Sequence, residues 1–194
     1  MKGKTEKIAK TTVETMGNGN QFMTGEFQQH DTWLSNADYA KALDSVVITC
    51  VDVIVLCNGG MVLGKRIINP WPGYWIIGGR MIPGETFEEA ASRNTKRELG
   101  LDIDPSRFSY FGTYNFIWAK RQQKPKGHGS QNVAITMLLK ISEEEWKNIK
   151  FDRKEYSSVE RFLPESIRKA KDDVHPAIRR YAEEVIARSP KGKI

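Results

Sequence analysis

The chain has 194 residues, of which 39% are hydrophobic and 10% aromatic, so it is long enough for one domain with a sizeable core. No run of 18 apolar residues occurs, and the polar start is not followed by an apolar segment, so we expect neither a membrane span nor a secretory signal. The net charge of +6 is too modest for a dedicated nucleic-acid binder but suits a small polyanion such as a diphosphate. We therefore expect a small-molecule partner, and neither a nucleic acid nor a membrane.

The first half of the chain predicts an extension, a helix and a buried strand. Residues 1–32 are polar and have no sustained period, which predicts a flexible extension. DTWLSNADYAKALDSV predicts a helix capped by Ser35 or Asn36. VVITCVDVIVLC, residues 46–57, is a nearly unbroken apolar and β-branched run, so we predict a central strand that is buried on both faces.

The two cysteines both lie on this strand. Cys50 and Cys57 are an odd number of residues apart, so their side chains point to opposite faces and cannot pair with each other. Reduced thiols favour a cytoplasmic location.

The middle of the chain predicts a hairpin and then a well-delimited helix. CNGG turns the strand into MVLGKRI, and the loop NPWPGYW leads to a short strand, WIIGG. Thr86 and Glu89 have the spacing of a capping box, and Gly100 follows the last apolar residue, so we predict a helix over 86–99.

The second half predicts two strands, RFSYFGTYNFIWA and QNVAITMLLKI, on either side of the basic loop at 120–128. SEEEWKNI predicts a short helix and SSVERFL a last strand, while PESIRKA and HPAIRRYAEEVIARS predict the closing helices. This order predicts an α+β fold in which helices cover a sheet of mainly antiparallel strands. We assign the domain to residues 33–188 and a C-terminal tail to 189–194.

Three residues outside the helix are candidates for ligand contact. Asp52 interrupts the most apolar run, and a buried carboxylate costs several kcal/mol unless it is paired. It either accepts hydrogen bonds from the protein or contacts a polar ligand, and the two interpretations are compatible. Tyr74 and Trp118 are candidates for stacking on a base or sugar, with core packing as the alternative.

The stretch GGRMIPGETFEEAASRNTKRELGLD, residues 78–102, carries most of the predicted chemistry. Its two leading glycines allow close approach of a ligand and leave a carbonyl for a hard cation. Arg80 and Arg93 supply guanidiniums suited to phosphate oxygens. Asn94 and Arg97, however, stand where a divalent cation would favour carboxylates, and the helix alone resembles an ordinary charged, solvated surface.

The spacing G-x5-E-x7-R over 79–93, followed by ELGL at 98–101, resembles the Nudix box of the pyrophosphohydrolase superfamily. The usual pattern is G-x5-E-x7-R-E-U-x-E-E-x-G-U, with U aliphatic. Asn94 replaces the first Glu of its R-E pair and Arg97 the first of its E-E pair, whereas Glu98 is retained. The branch that resembles GDP-mannose mannosyl hydrolase also lacks those two acids, and the likeness extends over about residues 33–185.

This resemblance implies a Nudix-type mixed sheet sandwiched between helices, a homodimer, and a bound Mg²⁺. By position, the metal ligands would be the carbonyl oxygen of Gly78 and the carboxylates of Glu98 and Glu155. A carboxylate at the last of these positions is a good ligand for a hard cation.

The resemblance also implies roles for three arginines and Asp52. Arg80 and Arg93 match arginines that stabilise a departing diphosphate. Arg66 and Asp52 match positions that contact the substrate.

The general base is less clearly implied. The family has a histidine next to the last metal ligand, and this chain has Tyr156 there. A tyrosine with an ordinary pKa is a poor base at neutral pH. Glu155 could serve as base instead of ligand, and His128 in the basic loop is a further option, so all three stay open.

Three functions are compatible with the sequence. The first is Mg²⁺-dependent hydrolysis of a nucleoside-diphosphate sugar, similar to GDP-mannose, by attack of water at the anomeric carbon. The second is cleavage of the pyrophosphate, which gives a nucleoside monophosphate and a sugar phosphate. The third is a silent binding or regulatory module, which is disfavoured because a mere binder has no need to keep a metal carboxylate such as Glu98.

Overall fold

A computed structural model describes residues 13–17, 19, 21–29, 32–170 and 174–189. The strands, in chain order, are β1 (Val13–Met16), β2 (Gln21–Thr24), β3 (Ile48–Cys57), β4 (Gly60–Arg66), β5 (Gly73–Trp75), β6 (Ile77–Arg80), β7 (Ser109–Trp118), β8 (Ser130–Ile141) and β9 (Tyr156–Phe162). The α-helices are α1 (Asn36–Ser45), α2 (Phe87–Leu99), α3 (Glu143–Lys147), α4 (Pro164–Lys169) and α5 (Pro176–Arg188). None of the helices in these ranges is long and apolar enough to cross a membrane.

Strand β3 is the centre of a seven-stranded mixed sheet. Along one edge it runs parallel to β8 over its whole length, and β7 pairs antiparallel with β8 beyond it. Along the other edge β3 pairs antiparallel with β6 and then with β4, and β4 also pairs with β5 and β9. The mixed sheet that the resemblance implies is confirmed. The strand patterns alone are interpreted as antiparallel, and the parallel β3–β8 pairing departs from that interpretation.

The side chains of alternate residues of β3 pack into two separate hydrophobic cores. Val51, Val53 and Val55 pack in the core beneath α2, whereas Ile54 belongs to the core that includes Tyr181 of α5. Burial of both faces is therefore confirmed, as is the sheet sandwiched between helices. Cys57 is buried in the α2 core and Cys50 lines a cleft, and both thiols are free.

Helix α2 begins and ends where the sequence predicts. The Thr86 hydroxyl accepts from the Glu89 amide at 3.2 Å, and the Glu89 carboxylate accepts from the Thr86 amide at 2.7 Å, which completes the capping box. Gly100 ends the helix with a left-handed φ of 69°, a conformation that costs glycine nothing. The segment before α2 holds one more strand than predicted, since Gly73–Trp75 within NPWPGYW forms β5.

Part of the predicted flexible extension is a hairpin. β1 and β2 pair antiparallel over 13–24, and Gln21 ties the hairpin to α2 by accepting from the Phe87 amide at 2.9 Å and donating to Glu88 at 3.1 Å. The sequence feature that indicates this hairpin is MGNGNQ, in which Gly17 and Gly19 adopt positive φ between the two strands. Residues 1–12 lie outside the described part of the chain.

Candidate active site

A two-lobed cleft lies where β3, β6, β8 and the start of β9 meet, next to α1. The inner lobe, about 350 Å³, is lined by Asp52, Trp118 and Asn132 among others. The outer lobe, about 460 Å³, extends towards Trp33 and Arg93. The residues that line both lobes, and so form the boundary between them, are Tyr39, Arg66, Gly78, Gly79, Arg80, Arg97, Gln123 and Glu155. Three guanidiniums therefore converge at the middle of the cleft.

Asp52 lies on the wall of the inner lobe. Its side chain is only 7% exposed and has no hydrogen-bond partner among the residues that the structure describes. Burial raises the pKa of Asp52 to about 7, the negative charge of Glu98 acts in the same direction, and Arg66 opposes them. A Cβ on Gly78 would lie 2.2 Å from the Asp52 carboxylate, so a glycine is required there for β6 to pair with β3. A buried carboxylate without a partner is suited to accept from a ligand hydroxyl.

Glu98 is fully buried beneath the cleft. One of its oxygens accepts from the Gly78 amide at 3.1 Å and from the Tyr156 hydroxyl at 2.5 Å, and the other pairs with Arg97. Burial raises the pKa of Glu98 to about 7, although Arg97 and the Tyr156 hydroxyl favour the charged form. The helix thus presents its retained acid to β6 and β9 rather than to solvent.

Of the three options for the general base, His128 lies outside the cleft and Tyr156 is a hydrogen-bond donor. The hydroxyl of Tyr156 is buried and donates to Glu98, and burial together with that negative charge raises the pKa of Tyr156 well above its usual range. His128 is exposed, lies 3.2 Å from Asp44, and lines neither lobe. Glu155 alone of the three is an accessible carboxylate that borders both lobes.

Arg97 contacts each of the three residues whose oxygens the resemblance assigns to Mg²⁺. Its guanidinium donates to the Gly78 carbonyl at 3.0 Å, to Glu98, and to Glu155 at 3.3 Å. Within the described ranges, no group of three or more His, Cys, Asp or Glu side chains is placed to hold a metal ion. As they are arranged, these residues do not fit a divalent cation, because a cationic side chain already stands among the donors.

Asn94 holds the helix to the sheet instead of facing a metal. Its side chain is fully buried, and its amide nitrogen donates to the carbonyls of Val51 at 3.1 Å and Gly79 at 3.3 Å. Its oxygen accepts from Arg93 at 3.1 Å. A Cβ on Gly79 would lie 3.1 Å from that oxygen and 2.7 Å from the Arg97 guanidinium. The glycine pair therefore lets β6 approach Asp52 on one side and α2 on the other.

The arginines at 66, 80 and 93 have different surroundings. Arg80 lies with its guanidinium carbon 5.3 Å from the ring centroid of Tyr39 and 5.7 Å from that of Trp33, so aromatic rings orient it towards the cleft. Arg66 is 3.7 Å from Glu155, and its buried Nε has no hydrogen-bond partner within the described part of the chain.

The guanidinium of Arg93 makes its contacts with other residues of the protein. It pairs with Glu85, donates to the Arg80 carbonyl at 3.0 Å, and borders only the outer lobe. Its contacts fix the loop before α2, and through that loop the position of Arg80.

The two predicted stacking residues are placed differently. Trp118 lines the inner lobe, stacks on Phe116 with a centroid separation of 5.4 Å, and donates to Asn132 at 2.7 Å. Tyr74 lines neither lobe, and its hydroxyl donates to Glu160 at 2.7 Å. Sequence reasoning missed Trp33 and Tyr39, for which the only signal was a pair of aromatic residues at the start of an amphipathic helix.

Buried carboxylates and converging guanidiniums thus line one cleft beside the central sheet. Residues 48–185 match the family model described as NUDIX domain, so the chain belongs to the Nudix family and is a hydrolase. Nudix hydrolases generally use divalent metal ions and act on small-molecule substrates.

Two curated proteins illustrate the similarity. The "Low-salt glycan biosynthesis protein Agl8" of Haloferax volcanii is 24% identical over 153 residues, which covers 78% of this chain and 90% of that protein. An uncharacterized Nudix hydrolase of Listeria innocua is 38% identical over 73 residues, covering 31% of this chain and 43% of that protein.

Solved structures support the fold. A MutT NUDIX hydrolase from Burkholderia pseudomallei superposes with a TM-score of 0.58 at 18% identity and covers 73% of this chain and 99% of its own. A MutT protein from Methanosarcina mazei Go1 gives a TM-score of 0.56 at 17% identity, with 73% and 94% covered.

Proposed function

We propose that this protein hydrolyses a nucleoside-diphosphate sugar, similar to GDP-mannose, into a nucleoside diphosphate and a free sugar. The observation that carries the proposal is the join between the two lobes, where Arg66, Arg80 and Arg97 converge next to the unpartnered carboxylate of Asp52. A ligand with a diphosphate at its centre and hydroxyl-bearing groups at its ends matches this distribution of charge.

The arginines suit the departing diphosphate. When water attacks the anomeric carbon, the bond between that carbon and the phosphate oxygen breaks, and negative charge develops on the leaving group. Arg80, oriented by its aromatic neighbours, and Arg66 neutralise that charge without having to reorganise. Arg93 supports the reaction indirectly, because it fixes the loop that carries Arg80.

The carboxylates suit water activation and hydroxyl binding. Glu155 borders both lobes and takes the proton of the attacking water, while Asp52 accepts from a hydroxyl of the sugar or ribose. Trp118 offers a flat face at the wall of the inner lobe for the base or sugar. The Mg²⁺ expected from the resemblance has no step in this proposal, because Arg97 occupies its donors.

The similarity to a named glycan biosynthesis protein supports a sugar-containing substrate. The absence of acids at positions 94 and 97 of α2 supports attack at carbon, because attack at phosphorus in ordinary Nudix reactions relies on a carboxylate-rich metal cluster. We also propose a cytoplasmic homodimer, on the resemblance described above.

The test is a panel of nucleoside-diphosphate sugars, including GDP-mannose, incubated with the protein in ¹⁸O water with and without Mg²⁺. We expect label in the free sugar and an unlabelled nucleoside diphosphate. Label in a phosphate product would contradict the proposal and assign ordinary pyrophosphate cleavage. Absence of turnover with every substrate would favour a binding module.

Variants then test the roles of individual residues. We expect Glu155→Gln to lower kcat at least about a hundredfold, in the range of a lost general base. Glu144→Gln makes the same change on an exposed glutamate of α3 and should leave kcat unaltered. If the two variants behave alike, Glu155 is not the base.

A further inference from the structure

The guanidinium of Arg97 stands among the three oxygens that a Nudix metal would need. Its Nη2 donates hydrogen bonds to the Gly78 carbonyl and to Glu98, and its Nη1 donates a hydrogen bond to Glu155. We propose that Arg97 is the resident cation of this site and takes the place of the divalent ion. A metal ion binds these oxygens only after Arg97 has been displaced.

Arg97 and a metal ion exclude each other sterically. Mg²⁺ holds its oxygen ligands at about 2.1 Å, which places the ion between the oxygens that it binds. Nη2 of Arg97 already lies between the Gly78 and Glu98 oxygens, at 3.0 Å from the first. The nitrogen and an ion therefore cannot occupy this position together.

The charges around Arg97 also disfavour a metal ion. Glu98 is fully buried, so removal of Arg97 would leave its charge without its nearest cation. An ion that entered beside Arg97 would be repelled by the guanidinium, and also by Arg66, which lies 3.7 Å from Glu155. Divalent binding thus competes against two fixed positive charges.

The surrounding residues are shaped for this guanidinium. A side chain at Gly79 would collide with Nη2, since a Cβ there would lie 2.7 Å from it. The side-chain amide of Asn94 donates to backbone carbonyls, so Asn94 supplies no carboxylate to accompany Glu98 at this site. Asn94 therefore removes a carboxylate ligand from the site, and Gly79, which the Nudix pattern also has, leaves room for the guanidinium.

The proposal concerns the same cleft as the proposed function but does not depend on its substrate. The guanidinium presents one positive charge to both lobes. Turnover, whatever the substrate, should therefore persist when divalent ions are chelated.

The test is Mn²⁺ binding to the full chain, measured as loss of the free-ion signal by electron paramagnetic resonance at about pH 8, where carboxylate ligands are deprotonated. Arg97→Gln removes the charge and keeps a side chain of similar length, and Arg97→Ala is a second variant in case the first is poorly folded. Lys96→Gln is the matched control, because Lys96 is adjacent but pairs with exposed Asp102.

We expect Arg97→Gln or Arg97→Ala to bind Mn²⁺ at least about tenfold more tightly than the wild type, with Lys96→Gln resembling the wild type. Equal affinity in the wild type and both Arg97 variants would overturn the proposal, since Arg97 would then not be what excludes the ion. An equal gain in Lys96→Gln would also overturn it by assigning the effect to net charge. Failure of the substrate panel leaves this binding comparison intact, so the two proposals fail separately.

Discussion

Replacing Asn94 by aspartate tests whether the amide is a structural tie. The side chains have the same shape, but a carboxylate accepts hydrogen bonds and does not donate them. In the folded protein it would face the carbonyl oxygens of Val51 and Gly79, to which the amide now donates at 3.1 and 3.3 Å. Asn94→Asp therefore converts two attractive contacts into two repulsive ones at a fully buried position.

The expected loss follows from these contacts. Two donated hydrogen bonds contribute about 1 kcal/mol each, and the buried charge adds to that cost, although Arg93 still donates to the remaining oxygen. We expect the free energy of unfolding to fall by about 3 kcal/mol or more in Asn94→Asp. Asn94→Ala, which removes the donors without adding charge, should lose about 1–3 kcal/mol.

The assay is urea unfolding at neutral pH, with Asn115→Asp as the matched control. Asn115 is exposed on β7, and its oxygen accepts from Gln131 at 3.1 Å, a bond that an aspartate can keep. This control should change the unfolding free energy by no more than about 0.5 kcal/mol. If Asn94→Asp is as stable as Asn115→Asp, the amide is not a tie between α2 and the sheet.

Three further substitutions test the cleft. Tyr156→Phe should lower the free energy of unfolding by about 1 kcal/mol, because it loses the hydrogen bond to Glu98. It should leave the dependence of kcat on pH unchanged. If one of the two slopes of that pH profile disappears, Tyr156 is the base. The pKa of Asp52 in the fold, about 7, lies above its usual 3.8, so the contribution of Asp52 to stability should fall as pH rises from about 4 to about 7. Asp52→Asn should flatten that fall in urea titrations, and equal slopes would contradict the raised pKa. Arg80→Lys, which loses the planar contact with Tyr39, should lower kcat about tenfold, because the guanidinium neutralises charge that develops on the leaving group, and an unaltered kcat would remove Arg80 from that role.

The elements with strong local signals were predictable from the sequence. The limits of α2 follow from Thr86, Glu89 and Gly100, whose capping contacts are local to the chain. The buried character of β3 follows from its unbroken apolar run, whereas that run left open whether Asp52 pairs within the protein or faces a ligand.

What the sequence could not supply were contacts between distant segments. The parallel pairing of β3 with β8 depends on how the chain crosses between them, which hydrophobic patterns do not encode. Trp33 and Tyr39 reach Arg80 only because α1 lies against the cleft. Sequence reasoning named Gly78, Glu98 and Glu155 as a metal set, and it could not reveal that Arg97 bridges all three.

The replaced acids of α2 form one coherent change in charge. The general Nudix pattern places carboxylates at positions 94, 97 and 98, three negative charges that divalent ions balance. This helix has Asn94, Arg97 and Glu98 there, so the same three positions carry a formal charge of zero. Asn94 removes an acid and gains a structural role, and Arg97 supplies a cation that the fold holds at the remaining acids. Under the proposed function, this balance of charge within the chain is what would let side chains alone stabilise the departing diphosphate.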